Sequence, residues 1–192
     1  SKIVIATHNK GKLVEIQALL EPFGIDCVSV GDLGLEEPEE TETTFAGNAR
    51  LKASFAAKAS GLPALSDDSG ISVDALGGEP GVYTANWAES SKGRDFSLAM
   101  SMVWEKLQAS NALSPYTAKF NCALCLAWPD GHDEVFNGIV TGQVVWPMRG
   151  KHGFGFDPMF QPDGYALTFS EMLPTEKQPL THRARAFAKL VA

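Results

Sequence analysis

The sequence predicts an α/β domain built on a long mixed β-sheet flanked by helices. Three observations predict it. Ile3-Val4-Ile5-Ala6 is a short all-apolar run, of the kind buried on both faces of a sheet, and it leads through a polar turn into a helix. Tyr116 to Trp128 and Glu134 to Trp146 read as two long strands about the turn Pro129-Asp130-Gly131-His132, an antiparallel hairpin. Helical stretches alternate with the apolar runs in between. A parallel start joined to an antiparallel hairpin requires a mixed sheet with helices on its faces. At 192 residues the chain is expected to form one domain over 1–192, with room for two lobes. That length buries roughly 70% of the surface exposed by an unfolded chain, so neither disulfides nor metals are needed to make a core.

In order, Thr7-His8-Asn9-Lys10-Gly11-Lys12 is the first turn, and the helix after it carries Leu13, Ile16, Leu19 and Leu20 on one face before Pro22 and Gly24 end it. Backbone N–H groups at a helix start suit an anion, and Lys10 and Lys12 add charge. Walker A spacing is absent, and an ordinary βα turn with solvated lysines fits these residues better when they are taken alone. Ile25 to Val30 reads as a second strand. Glu36 to Glu42 is an acidic stretch, expected as solvated loop. An alanine-rich helix follows from about Ala46 to Ser60, stopped by Gly61-Leu62-Pro63.

Leu62 to Leu65 then runs as a strand into Ser66-Asp67-Asp68-Ser69-Gly70. Two adjacent carboxylates raise each other's pKa and repel, and a hard divalent cation relieves both effects. Asp, Ser and Gly also form surface turns, and the residues alone do not decide between turn and metal site. Ile71 to Leu76 is apolar again, Gly77 to Gly81 is a turn, and Val82 to Trp87 is irregular or a short helix. Ser90 to Gly93 is loop, and Arg94 to Ala109 is an amphipathic helix. In Arg149 to Pro158, glycines alternate with Phe154 and Phe156, which suit either a stacked base or a plug in the core, the second fitting better locally. Thr168-Phe169-Ser170-Glu171 is a capping box expected to open a short helix, and Lys177 lies in a loop. Thr181 caps a last helix through Leu190. His182 and Arg183 in its first turn oppose the helix dipole, which a bound anion would explain.

The net charge of −7 disfavours wrapping of nucleic acid, which needs a basic face. No run of about 18 apolar residues is present, so no membrane span is expected. Ser1-Lys2 leads directly into a strand, without a signal-peptide layout. Cys122 and Cys125 form a C-x-x-C inside a strand pattern and are expected to pack in the core rather than do redox chemistry. With Cys27 they make three cysteines, which fits a reducing cytoplasm.

Together these blocks resemble the inosine/xanthosine triphosphate pyrophosphatase family over nearly the whole chain. The resemblance rests on Thr7 to Lys12 with Glu15, Thr44-Phe45 with Asn48-Ala49 and Lys52-Ala53, and Asp67-Asp68-Ser69-Gly70 with Pro80 to Tyr83. It continues through Gly153 to Pro158, Lys177 and Thr181-His182-Arg183. It implies a cytoplasmic, Mg²⁺-dependent, homodimeric enzyme that hydrolyses ITP, dITP and XTP to monophosphate and pyrophosphate. The implied fold is a long mixed sheet with two lobes and a cleft between them. Asp68 matches the catalytic acid, which holds the metal and takes a proton from water. Thr7, His8, Asn9, Lys10, Gly11, Lys12, Ser69 and Lys177 match substrate-binding positions. Phe154, Gly155, Phe156, Asp157, His182 and Arg183 match positions near base and sugar.

The chain departs from that family at several points. Gly47 stands where many relatives have a metal-binding glutamate, Glu42 where glycine is common, and Asn86 where arginine is frequent. Thr181 replaces a usual serine. Asp68 and substrate phosphates are therefore expected to carry most of the metal, with Asp67 or a nearby glutamate assisting through water. A nucleotide pyrophosphatase of other base preference, or a module that binds nucleotide without hydrolysis, are the alternatives.

Overall fold

The computed structural model describes residues 2–192. Its main sheet has six strands: β1 (Lys2–Ile5), β2 (Asp26–Ser29), β3 (Ala64–Val73), β4 (Tyr116–Ala127), β5 (Asp133–Val144) and β6 (Phe160–Pro162). Their spatial order is β2-β1-β3-β4-β5-β6. β1 runs parallel to β2 and to β3, whereas β5 and β6 are antiparallel, so the sheet is mixed as expected. The helices are α1 (Lys10–Leu20), α2 (Phe45–Ser60), α3 (Phe96–Ala109), α4 (Pro174–Lys177) and α5 (His182–Val191).

The described chain divides into two compact units. One comprises residues up to Asp68 with 122–138 and 182–192, the other 69–121 with 139–181. In the first unit, side chains alternate across the strands, as the pleat dictates. Val4, Ala64, Ala123 and Cys125 join the alanines of α2 in one cluster. Ile5, Leu65, Cys122 and Leu124 join Ile16 and Leu20 of α1 and Phe187 of α5 in another. The two cysteines of the C-x-x-C thus belong to opposite layers, and both are free thiols. Burial pushes the Cys125 thiol up to about 12, with Asp133 adding to it, which suits packing and not redox chemistry. The alanines at 49, 53, 56 and 57 allow α2 to lie close to the sheet.

α5 lies close on β5 for a similar reason. A Cβ added at Gly138 would collide with the His182 carbonyl oxygen and the Ala186 backbone nitrogen. Neither atom belongs to a side chain that could swing away. Gly138→Ala is expected to cost about 3 kcal/mol, at the upper end of overpacking penalties, read as a lowered urea midpoint at unchanged m-value.

The second unit is centred on Ile71, Val103, Leu107, Phe120, Phe160 and Phe169. Phe120, Phe160 and Phe169 stack or tilt on one another with centroids 4.3–5.9 Å apart. Two short strands, Glu89–Ser90 and Gly93–Arg94, pair where a loop and, at Arg94, the start of the helix were expected; the helix begins at Phe96. The Thr168–Glu171 box forms, with Glu171 N–H donating to Thr168 Oγ1 (3.2 Å) and Thr168 N–H to Glu171 Oε1 (2.9 Å), but it closes a turn, and the next helix, α4, starts only at Pro174. Leu173 precedes Pro174, which disfavours helical backbone there, and its ψ is 150°. Lys177, expected in a loop, ends α4.

Candidate active site

β3 overturns the expectation of a strand end at the acid pair. It continues unbroken from Ala64 to Val73, so Asp67 and Asp68 lie mid-strand and the surface-turn alternative falls. Alternation then sends the two neighbouring carboxylates into different layers.

Asp67 faces α1 and α5. Lys12 Nζ lies 2.7 Å from its Oδ1, Arg183 Nε donates to its Oδ2 at 2.8 Å, and the Cys122 thiol donates to Oδ2 at 3.0 Å. Arg183 Nη1 donates in turn to Glu15 Oε1 at 2.8 Å. Burial alone would raise the Asp67 carboxyl, but Arg183 and Lys12 hold it well below the usual carboxylate range. Burial opposes the Arg183 charge, and Asp67 and Glu15 more than restore it. The Cys122 thiol is pushed far up by burial and by Asp67. Two expectations change here. The anion that Arg183 faces is the chain's own Asp67 and Glu15, and the side chain is 1% exposed. Asp67, with both oxygens engaged by cations, is a buried counter-ion and not a spare metal ligand.

Asp68 faces α2. Lys52 lies on the core stripe of that helix with Ala49, Ala53 and Ala56. Its Nζ donates to the Asp67 carbonyl oxygen (2.6 Å) and to Glu40 Oε1 (3.2 Å), and lies 3.6 Å from Asp68 Oδ1. Asp68 Oδ2 is buried and accepts no hydrogen bond. Burial pushes the Asp68 carboxyl up to about 7, with Lys52 opposing the shift and Glu40 adding to it. Burial likewise works against the Lys52 ammonium, but Asp68, Glu40 and Asp67 outweigh it and raise its pKa. The strand therefore separates the pair: Asp67 stays ionised, while Asp68 sits near neutrality. Glu40 belongs to the stretch expected as solvated loop. The end of that stretch is held by the buried Asn48, which accepts from the Glu42 N–H (3.0 Å) and donates to its carbonyl (3.3 Å).

This arrangement fits a divalent cation. A buried carboxylate oxygen without a donor is the atom a metal would take, and Glu40 supplies a second hard oxygen beside the same ammonium. Among the described residues no group of three or more His, Cys, Asp or Glu forms a complete cage. Mg²⁺ does not need one, since it binds through one or two carboxylates with water and phosphate. At Gly47 an added Cβ would lie 2.9 Å from Glu42 Cβ and 2.9 Å from Thr44 Oγ1, so the Glu42 side chain fills the space beside that glycine.

The first turn is shorter than expected, because α1 already begins at Lys10 and takes in Gly11 and Lys12. Thr7 Oγ1 accepts from Asn9 N–H (3.1 Å), and Asn9 caps α1 by accepting from Lys12 N–H (3.1 Å). Thr7 is buried, and His8 and Lys10 are exposed. His182 is buried in the first turn of α5.

In the second unit, Asp157 Oδ2 accepts from Lys177 Nζ (2.6 Å) and from Phe154 N–H (3.0 Å). The Lys177 ammonium stands 4.9 Å from the centre of the half-buried Phe154 ring. Gly153, at φ +75°, is required because a Cβ there would collide with Asp157 Oδ2. Gly155 also has a positive φ, and Phe156 is a core residue set edge-on to Phe96 at 6.1 Å. Of the two aromatics, Phe156 therefore plugs the core and Phe154 does not. Ser69 follows Asp68 in β3 and is half-buried.

A family model described as the Ham1 family matches residues 3–192. The chain belongs to the Ham1 family. A Ruegeria pomeroyi protein named dITP/XTP pyrophosphatase is 60% identical over 189 residues, covering 98% of this chain and 93% of that protein. One of the same name from Agrobacterium fabrum is 57% identical over 200 residues, covering 98% and 94%. Among solved structures, a HAM1 protein from Coxiella burnetii superposes with a TM-score of 0.88 at 35% identity, covering 98% of this chain and 95% of that one. The mixed sheet with flanking helices is thus the Ham1 fold. Glu40, Lys52 and Glu15 are the residues of this Ham1 site that sequence reasoning left out of the candidate set. Lys52 had two visible signals, its place in a block that carries the family resemblance and a cation on the apolar stripe of a helix.

Proposed function

We propose that this Ham1 protein hydrolyses dITP, ITP and XTP to the nucleoside monophosphate and pyrophosphate with Mg²⁺, clearing non-standard purines from the nucleotide pool. The observation that carries the reading is Asp68: a buried carboxylate near neutral pKa, with one donor-less oxygen, beside Lys52 and Glu40. Relatives of more than half identity that carry the name dITP/XTP pyrophosphatase support it.

Asp68 orients a water and takes its proton as that water attacks, and the α–β phosphoanhydride bond breaks with pyrophosphate leaving. Lys12, held by Asp67, supplies fixed positive charge to the phosphates. Asp68 and Glu40 would hold Mg²⁺, which when bound neutralises charge on the phosphates. The Phe154 ring, with Lys177 and Asp157 beside it, suits a purine: a face to stack on, a donor for a 6-oxo group and an acceptor for a ring N–H. Adenine presents a 6-amino donor in place of that acceptor, which leaves the ammonium unmatched.

Among the described residues no helix is long and apolar enough to cross a membrane. We place the enzyme in the cytoplasm as a homodimer that acts on nucleotides and not on nucleic acid. Pyrophosphate release tests the reading. ITP and XTP are expected to turn over at least about 10²-fold more efficiently than ATP, with Mg²⁺ and not with chelator. Stoichiometric ITP binding without pyrophosphate release would overturn it.

A further inference from the structure

Lys52 does more than neutralise Asp68, and its three contacts differ in kind. The contact to the Asp67 carbonyl oxygen, at 2.6 Å, is short and made to an uncharged backbone atom. The contacts to Glu40 (3.2 Å) and Asp68 (3.6 Å) are longer, and the last is beyond good hydrogen-bond distance. The ammonium is therefore anchored by the backbone and shares its charge loosely between two carboxylates. Those are the two oxygen-bearing groups that a divalent cation would use, and one of them keeps a buried oxygen with no donor at all. The lysine is 3% exposed. It has no solvent-facing role and cannot be replaced by bulk counter-ions.

We propose that Lys52 is a resident stand-in for the divalent cation: its ammonium holds the Asp68–Glu40 pair together when no metal is bound and yields those two contacts, while keeping the Asp67 carbonyl, when metal enters. Charge counting favours the exchange. Two carboxylates and one ammonium sum to −1, which a divalent ion turns to +1, ready for a polyanion. The ammonium left beside the metal repels it, so metal alone binds weakly and substrate phosphates complete the site. The chain would then stay folded and assembled without metal. This inference rests on the metal reading above. Its test contains no nucleotide, so it fails separately from pyrophosphate release.

The test is Mn²⁺ binding followed by electron paramagnetic resonance, with thermal melts in chelator and in Mg²⁺, on the wild-type protein and on Lys52→Met and Lys52→Gln. The wild type is expected to bind Mn²⁺ weakly and to melt at the same temperature with and without chelator. Both variants are expected to bind Mn²⁺ at least about ten-fold more tightly. They should melt roughly 5 °C or more lower in chelator and regain most of that in Mg²⁺. Binding no tighter than wild type, or a wild-type melt as sensitive to chelator as the variants, overturns the proposal. Should neither variant fold, the wild type labelled with ¹⁵N at lysine Nζ decides. One slowly exchanging ammonium signal must shift on adding Mg²⁺, and the absence of any such shift overturns it.

Discussion

Asp68→Asn is expected to lower Mg²⁺-dependent pyrophosphate release from ITP by at least about 10³-fold while leaving the fold intact. Amide and carboxyl are nearly the same size, so packing at this buried position is kept. What is lost is the proton acceptor, typically worth 10²–10⁴-fold, together with the charged oxygen facing the metal. Burial is the largest influence on the Asp68 carboxyl and disfavours its charge, so neutralising it does not threaten stability. The melting temperature is expected to stay within about 3 °C of wild type, a change of roughly 1 kcal/mol for a chain of this length. A variant that keeps full turnover would remove Asp68 from the chemistry.

The second large effect is structural. Arg183→Met is expected to destabilise the protein by about 3–5 kcal/mol, because it strips the cation from two carboxylates that remain in the interior. For 192 residues that is a fall of roughly 10 °C in melting temperature. Lys12 still faces Asp67, but Glu15 loses the guanidinium that bridges it to β3. Arg183→Lys restores charge without the planar fork and is expected to recover only part of the loss, since one ammonium cannot reach both carboxylates with the same geometry. A melt of Arg183→Met within 2 °C of wild type would show that the guanidinium is not the bridge described above.

Much of this site was legible because its chemistry follows local pattern. The acid pair, the cationic first turn and the apolar strand runs all lie within short windows. Arg183 shows where local pattern ends. Its two partners lie 116 and 168 residues away in sequence, and nothing near residue 183 announces them. Cations at a helix N-terminus point to an external anion as long as their internal partners lie outside the local window. Asp67 to Gly70 has the composition of a turn, yet partners on three helices and the burial of the strand override it. Glu40 failed for the converse reason. An acidic run looks solvated throughout, and only the fold selects the one member that meets a buried lysine.

The packing of Glu42 against Gly47 restricts how this stretch can change over time. Glutamate stands at 42 and glycine at 47, and a Cβ added at 47 would press on Glu42 Cβ and Thr44 Oγ1, while Asn48 fixes the Glu42 backbone. A side chain gained at position 47 meets less crowding when position 42 has already been trimmed. The opposite order passes through a crowded intermediate, so an ancestral reconstruction that swaps residue 47 alone would misjudge its effect.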